Sequence, residues 1–567
     1  MSELLSLVLP VKSTSLVAIG ILAVAIVGLW WYILPKPIPG SIPYNKYASR
    51  RVLGDVPELL AHTAVSRNPF TFIIEQIHNL DSPIIQLFLK PMKRPIVIIS
   101  EPRETEDILL RRTKEFDRGY FFKDVFDANI PYHHLVLDTN EQFKAQRRFI
   151  SDAMSPTFLR EVGAPHIHEA VNNLIKLWRL KTRLAEGRPF RASVDIKHAI
   201  FDAIWVIAIG ENANGVNTQL DFLSGQPSSA TFDVKDNAVV FPEAQNPGIF
   251  DAICRICEAF EQILSSPFPQ LHHKILKLFP NLRKAYSLKD EAITRMLEQS
   301  RKRFAQPEKQ KKTSALDYFL HRDNERAVKI GNHLSEPVIR DELLGFLEAG
   351  HETTSTSLAW IMKFLAAYPN NQMKLRNAIQ AAFPGSKNPA PEEILNANIP
   401  YLDAFIEESM RVGQTAVSVS RRALVDTTVL GHPIPAGTEV YMMFNGPGYL
   451  KPPFAIADAA RESQDRERDA KKFTNWNIET LGEFEPDRWI DPVSGEYDPR
   501  AGPLHIFGMG IRGCWGKKLA YVEMRITITL LMLNFSFGDL PRELADFEGQ
   551  VFMTHEPRRC YVNLAEL

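Results

Sequence analysis

From Ser335 to Tyr368 the sequence holds a helical pattern for about 34 residues, a rod of roughly 50 Å, until Pro369 forbids another turn. Ser335 is a cap-type residue, and Pro337 is tolerated only in a first turn. A rod of that length crosses a whole domain, so the remaining elements must pack around it. Its centre breaks the apolar pattern: Ala349-Gly350-His351-Glu352-Thr353-Thr354 sets a glycine, a carboxylate and hydroxyls in an otherwise apolar helix. Such a break marks either a locally satisfied kink or a functional site. Glu352 and Thr353 have the chemistry to relay protons. His351-Glu352 also opens a zinc-protease H-E-x-x-H pattern, but Ser355 stands where the second histidine is required.

A second constraint is the stretch Phe507-Gly508-Met509-Gly510-Ile511-Arg512-Gly513-Cys514-Trp515-Gly516. Gly508, Gly510 and Gly513 suit a turn that visits positive φ and passes close to a large flat ligand. An apolar, helix-prone run from Lys517 to Leu533 follows. Cys514 would then sit where helix N-terminal amides and Arg512 favour a thiolate. The stretch reads as a loop presenting one thiolate to a metal; the plainer alternative is a buried structural cysteine in a tight turn.

The chain has 567 residues, 45% of them apolar, which excludes a disordered protein. A formal net charge of -1 gives no global pull toward nucleic acid. Four cysteines, Cys254, Cys257, Cys514 and Cys560, are too few for a disulfide framework and fit a reducing compartment. Cys254-x-x-Cys257 has no second pair to complete a zinc site and reads as part of a helix.

Ser13 to Pro35 carries no charge and, at about 1.5 Å per residue, is long enough for a bilayer core of about 30 Å. Trp30-Trp31-Tyr32 ends it like an interfacial belt, which favours an uncleaved anchor over a signal peptide. Lys36, Lys46, Arg50 and Arg51 follow it, against Lys12 before it, which places the body in the cytosol. The expected layout is a tail at 1–12, a transmembrane anchor at 13–35, a proline-rich hinge at 36–45 and a catalytic domain at 46–567.

The body is predominantly α, with helical patterns over 57–80, 102–112, 140–158, 163–183, 194–210, 248–279 and 284–304. Short strands are expected at 84–89, 95–100, 417–424, 427–430 and 439–444, and an edge hairpin over 551–564 turning at Glu556-Pro557-Arg558-Arg559. The stretch 215–248 reads as irregular. His133-His134 reads as a solvated pair with no third ligand nearby. The charged stretches 309–312 and 461–472 read as solvated loops. Glu408 and Arg411 share one face of the helix Tyr401–Val412, and Arg488 lies in the turn Phe484-Glu485-Pro486-Asp487-Arg488-Trp489.

Taken in order, A-G-x-E-T-T on a long helix, E-x-x-R, a P-x-R-W turn and F-x-x-G-x-R-x-C-x-G resemble the cytochrome P450 haem-thiolate monooxygenases. The resemblance covers essentially the whole chain, and the charged stretch at 461–472 is similar to membrane-anchored fungal members. It implies a mainly α fold with small β-sheets, preceded by one N-terminal transmembrane helix, holding haem b. Cys514 would be the axial iron ligand, Phe507 would pack beside its sulfur, and Gly510 and the amides up to Gly516 would complete the cofactor loop. Arg512, Arg147 and Arg421 would meet the haem propionates. Phe143 stands where the family has a tryptophan four residues before Arg147, so an indole N–H is missing. Glu408, Arg411 and Arg488 would form a buried structural network. On the distal side Gly350 would leave room for dioxygen, Thr353 would donate a hydrogen bond to it, Glu352 would deliver protons and Thr354 would face helix packing.

The implied reaction inserts one atom of dioxygen into an apolar, lipid- or terpenoid-like molecule, in secondary metabolism, at the endoplasmic reticulum membrane. Only about fifty residues follow the loop, so electrons would come from a separate NADPH-dependent flavoprotein reductase; Lys144, Arg148, Lys517 and Lys518 read either as its docking patch or as ordinary solvated side chains. A haem-thiolate isomerase or dehydratase needing no external electrons is the alternative, and a non-enzymatic haem protein the third.

Overall fold

The expected rod is present as one helix of 32 residues, Glu336–Ala367. Pro337 occupies its first turn, and Tyr368 leaves helical geometry at φ -123°, ψ 74°, the extended bias that a following proline imposes. The computed structural model describes residues 13–227, 231–264, 266, 268–304, 312–331, 333–457 and 476–567. Its helices include α1 (Ser13–Ile33), α2 (Ser193–Ile209), α3 (Gly248–Leu264), α4 (Glu336–Ala367), α5 (Pro400–Gly413) and α6 (Lys517–Asn534). α2 is apolar almost throughout and, apart from the half-buried Lys197 and Asp202, buried from Asp195 to Ile209. It packs along α4, and the largest hydrophobic core forms around the two.

The β structure is confined to small sheets, as expected. The largest has five strands, β1 (Ile84–Leu87), β2 (Ile96–Ile99), β3 (Phe116–Arg118), β4 (Ser418–Ala423) and β5 (Glu439–Met443), in the order β1-β2-β5-β4-β3. Only β2 and β5 run parallel. The register places Arg118 of β3 directly opposite Arg421 of β4. The proline-rich connector is clasped to this sheet: Ile38 N–H donates to Gln86 Oε1 at 2.8 Å, and Gln86 Nε2 donates to the Ile42 carbonyl at 3.0 Å.

Several local expectations are corrected. The run expected to be irregular over 215–248 contains a helix, Gly215–Ser224, and a hairpin of Asp233–Lys235 with Ala238–Val240. The helix starts because Asp202, far back on α2, accepts the N–H groups of Gly215 and Val216 at 2.8 and 2.9 Å, a long-range cap with no local signature. The helix expected over 248–279 ends at Leu264, and a second, Pro269–Leu276, begins with a proline in its first turn. The terminal hairpin turns at 552–554, pairing Gly549–Val551 with His555–Pro557. Tyr561–Val562 and Leu564–Glu566 join other strands, Phe190–Arg191 and Phe535–Phe537.

Among the described residues no helix is long and apolar enough to cross a membrane. The described side chains of α1 are nonetheless apolar and exposed all round, with Ile21, Leu22, Val24, Ile26, Val27 and Leu29 among them. The expected tail at 1–12 and the charged stretches at 309–311 and 461–472 lie outside the described residues.

Glu408 of α5 fastens that helix to the meander ahead of the cysteine loop. It is fully buried, and Arg411 binds it bidentately, Nε to Oε2 and Nη2 to Oε1, both at 2.8 Å. Arg488 Nε at 3.0 Å, the Glu485 N–H at 2.9 Å and Trp489 Nε1 at 2.8 Å complete its shell. Arg411 also donates to the carbonyls of Tyr449, Leu481 and Glu483. Removing Glu408 leaves Arg411 buried without a carboxylate and Arg488 with only the half-exposed Glu485, 2.9 Å away. Glu408→Ala is therefore expected to lose about 3 to 5 kcal/mol of unfolding free energy, measured by chemical denaturation; an unchanged midpoint would contradict the network's structural role.

Candidate active site

The cysteine loop closes on itself before it meets anything else. The Cys514 N–H donates to the Phe507 carbonyl at 2.7 Å, and Gly513 N–H to the Gly510 carbonyl at 3.0 Å. Gly510 is required twice over: its φ is +66°, and a Cβ there would lie 2.6 Å from the Leu109 carbonyl. Its role is thus to bring the loop against the helix Pro102–Leu110. Gly516 caps α6 with an ordinary φ of -78°. The Phe507 ring stacks obliquely on Tyr521, centroids 5.6 Å apart, with Lys517 Nζ 5.4 Å from its own centre.

The Cys514 side chain is accessible, yet protein surrounds it closely enough that burial pushes its thiol up. A sulfur on the floor of a cavity meets both conditions. The N–H groups of Gly516 and Lys517 and the charges of Arg147 and Lys517 pull the other way. Helix-start amides do face the sulfur as expected, but the guanidinium acting on it is that of Arg147. Arg512 is engaged elsewhere: Nε donates to Thr139 Oγ1 at 2.7 Å, Nη2 to the Leu137 carbonyl at 2.6 Å, and Nη2 lies 3.2 Å from Asp117 Oδ1. The protein alone therefore leaves Cys514 protonated at neutral pH, and a metal ion is what removes such a proton.

Arg118, Arg147, Arg421 and Arg512 act on one another in this region. Burial first, then the charges of Arg512 and Arg421, lower the pKa of Arg118; burial and Arg512 lower Arg421 to about 10. Asp117 only partly offsets them. Guanidiniums do not surrender their protons here, so the direction reflects burial first and then the crowding of like charges. Like charges directly across a strand pair, as with Arg118 and Arg421, are destabilising unless an anion lies over them. Arg512 Nη1 and Arg421 Nη2 are buried without a hydrogen-bond partner. Orphaned donors beside excess positive charge, next to an accessible thiol, fit a flat ligand carrying two carboxylates and a metal, which is haem. Phe143 is buried beneath Arg512, 3.8 Å from guanidinium carbon to ring centre. The aromatic ring supports that arginine without the indole N–H.

Across from the loop, α4 is buried through 342–348 and again at His351, Glu352 and 354–356, but Ala349 and Thr353 are exposed. One turn apart, they form an accessible strip in mid-helix. Phe346 of α4 packs edge-on against Trp515 at 5.6 Å, so the strip begins one turn beyond the residue next to Cys514. Thr353 Oγ1 donates to the Ala349 carbonyl at 2.6 Å. The proton expected to face dioxygen is thus held on the helix, and the oxygen lone pairs face the open side. Gly350 differs from expectation: a Cβ there would lie 3.0 Å from Ile204 Cδ1 of α2, so its smallness lets two helices approach. Burial alone would raise the Glu352 carboxyl, but His351 and Lys197 hold it below the usual range. His351 is itself lowered by burial, so Lys197, 3.5 Å away, carries the pair at neutral pH. Lys197 also lies 3.6 Å from Glu556. Thr354 faces packing, as expected, through Glu523.

Sequence reasoning missed Asp117, Arg118, Thr139, Lys197 and Glu523, all single residues without a local motif. It also misplaced His133 and His134, which are buried with Glu342 of α4 rather than solvated. Their nitrogens and the carboxylate lie within 4.8 Å of one another, as metal ligands would. The bonding assigns protons there instead. Leu135 N–H donates to His133 Nδ1 at 3.1 Å, which leaves the proton of the neutral ring on Nε2, 3.3 Å from Glu342 Oε2. His134 meets the same oxygen through Nδ1 at 2.8 Å. Asp341 accepts the Tyr132 N–H, and Glu348 accepts both bonds from Asn129 Nδ2. Three acids of α4 thereby hold the segment that delivers Leu137 and Thr139 to Arg512.

Comparison with known proteins agrees with this geometry. A family model described as Cytochrome P450 matches residues 56–449 and 482–561. The chain is 32% identical over 581 residues to the cytochrome P450 monooxygenase TRI13 of Fusarium sporotrichioides, covering 96% of this chain and 98% of that one. It is 33% identical over 575 residues to the cytochrome P450 monooxygenase GME11363 of Pestalotiopsis microspora, covering 98% and 99%. The cytochrome P450 monooxygenase xilC of Penicillium rubens is 30% identical over 558 residues, covering 96% and 95%. An accessible cysteine at a glycine-bound helix start, unbalanced arginines beside it and a polar break in the helix opposite therefore have one family explanation: the chain belongs to the cytochrome P450 family and is a haem-thiolate monooxygenase.

Proposed function

We propose that the enzyme oxidises an apolar, lipid- or terpenoid-like molecule of secondary metabolism, taking electrons from a separate NADPH-dependent flavoprotein reductase. The observation that carries this reading is the accessible strip of Ala349 and Thr353 on a helix buried elsewhere, adjoining Trp515 and the thiol. Haem, when bound, supplies the iron that activates dioxygen. Cys514 would hold that iron, and the free guanidinium donors of Arg421 and Arg512, with Arg147 and Arg118, would hold the propionates.

The protein's own task is proton handling. Glu352 rests ionised on Lys197, whose pKa the Glu352 and Glu556 carboxylates push up to about 12 against the effect of burial. Taking up a proton at Glu352 dissolves that pair and frees the carboxyl to serve Thr353 Oγ1. Glu556 is partly exposed and gives the line its contact with water. An isomerase or dehydratase has no need of such a line, which favours monooxygenation. Arg148, Lys517 and Lys518 are exposed beside the loop and suit an acidic reductase surface, while Lys144 is tied to Glu141.

We also propose membrane attachment through residues 13–35, with the body in the cytosol at the endoplasmic reticulum. Apolar exposure around α1 supports it, as does Lys36 Nζ resting 4.8 Å over the Trp31 ring. A second apolar surface, Phe268, Leu271, Ile275, Leu278 and Phe279, is exposed on the helix Pro269–Leu276 and just after it. The full chain is expected to co-float with phosphatidylcholine vesicles, and a chain starting at Lys36 to bind them far more weakly. Equal flotation of both would contradict the anchor.

Reconstituted with NADPH and reductase and given a terpenoid and fatty-acid panel, the enzyme should place one labelled atom of dioxygen in its product. Product formed without NADPH would favour the isomerase reading. Thr353→Ala should lower product per NADPH by roughly 10²-fold and raise released peroxide, while the Soret spectrum stays unchanged. Unaltered coupling would remove Thr353 from proton handling.

A further inference from the structure

We infer that Glu523 is a positioning residue for the proton-handling turn: from the helix that leaves the cysteine loop it anchors Thr354 of α4, and so fixes how Thr353 faces. The inference rests on the role given above to Thr353.

Glu523 lies nine residues beyond Cys514, somewhat under two turns into α6. It is 1% exposed and is the only carboxylate on the buried face of α6, whose other buried polar residues, Thr527, Thr529 and Asn534, are all uncharged. A carboxyl there is costly unless its bonds serve something. It has one bond, Thr354 Oγ1 donating to Oε2 at 2.8 Å, and Oε1 is buried with no partner.

The hydroxyls of α4 make two kinds of bond, and Ser357 makes both, meeting Thr415 Oγ1 at 2.7 Å as well as its own helix. Thr353, Ser355 and Ser357 donate back to carbonyls of their own helix. Thr354 reaches to Glu523, and Thr356 to Thr554. Successive residues of a helix are turned by about 100°, so a bond that pins Thr354 to α6 sets the direction of Thr353. Glu523 thereby ties the helix carrying the cysteine loop to the turn that handles protons.

The tie is made by a neutral acid. Burial pushes the Glu523 carboxyl up to about 8, opposed only by the Thr354 hydroxyl. The charged groups of the packed helices are engaged elsewhere: Arg525 of α6 with Asp403, Glu407 of α5 with Tyr497 and Tyr521, Glu352 with Lys197, Arg179 and Lys181 of the helix Ala164–Ala185 with Asn534 and Asp195, and Arg376 with Gln372 and the Phe535 carbonyl; the His351 ring packs on Phe201. A carboxyl raised from 4.5 to about 8 binds more protons folded than unfolded. Its stabilisation is complete below the unfolded value and is lost as pH rises toward the folded one. Ionised, it would be a buried anion held by a single hydroxyl, and the turn would have to shift or admit water.

The test uses carbon monoxide on the reduced haem protein, whose infrared stretch senses polar groups on the distal face. In wild type the band should move between pH 6.5 and 9.5 with a midpoint near 8. Glu523→Gln, neutral throughout, should hold the low-pH band over the whole range, and Thr354→Val should give a displaced band without titration. Independently of haem, the melting temperature of Glu523→Gln relative to wild type should rise from pH 5 to pH 8. A wild-type band that does not titrate, a titration that survives Glu523→Gln, or a constant difference in melting temperature would overturn the inference. If Thr353→Val leaves the wild-type band and its titration untouched, the role of Thr353 fails first, and the positioning claim with it.

Discussion

Positive charge concentrated beside Cys514 is the constraint on which the rest of the structure depends. Arg118 and Arg421 are paired across a sheet, Arg512 is drawn in from the cysteine loop, and Arg147 comes from the helix Glu141–Ile150. A protein does not assemble buried cations at a cost of several kcal/mol each for stability. They need a bound dianion, and the elements that deliver them thereby fix where its plane lies. The small sheet, the segment clasped by the acids of α4 and the glycine-rich loop are arranged to serve that requirement.

The sulfur obeys the same logic from the other side. Burial disfavours its thiolate, while amides at the start of α6 and the charge of Arg147 prepare it. Neither half of the site is at rest without the cofactor: the guanidiniums want anions and the thiol wants a metal. Glu408 has the opposite character, fully paired and remote from chemistry, and holds the scaffold in place while the site stays incomplete.

Much of this was legible in the sequence because it is written in contiguous residues. The long helix, its polar break, the cysteine loop and the Glu408 pair each occupy one turn or one stretch, where spacing determines facing. What was not legible depends on distant partners. Gly350 could not be seen to answer Ile204, nor Gly215 to be capped by Asp202, since both contacts join separate helices. His133 and His134 looked solvated because Glu342 is two hundred residues away in sequence. Nothing near Arg512 in the chain foretells Asp117 or Thr139, so the sequence points it only at the sulfur and the cofactor. Lys197 and Glu523 carry no motif, only position.

The account stands on Cys514 as the metal-binding thiolate. The most direct measurement is the carbon-monoxide difference spectrum of the reduced full-length protein, wild type against Cys514→Ser. Wild type should show the strongly red-shifted Soret band of a thiolate-bound haem, and the serine variant should lose it while remaining folded. Absence of that band in wild type, or its survival in Cys514→Ser, would contradict the central claim.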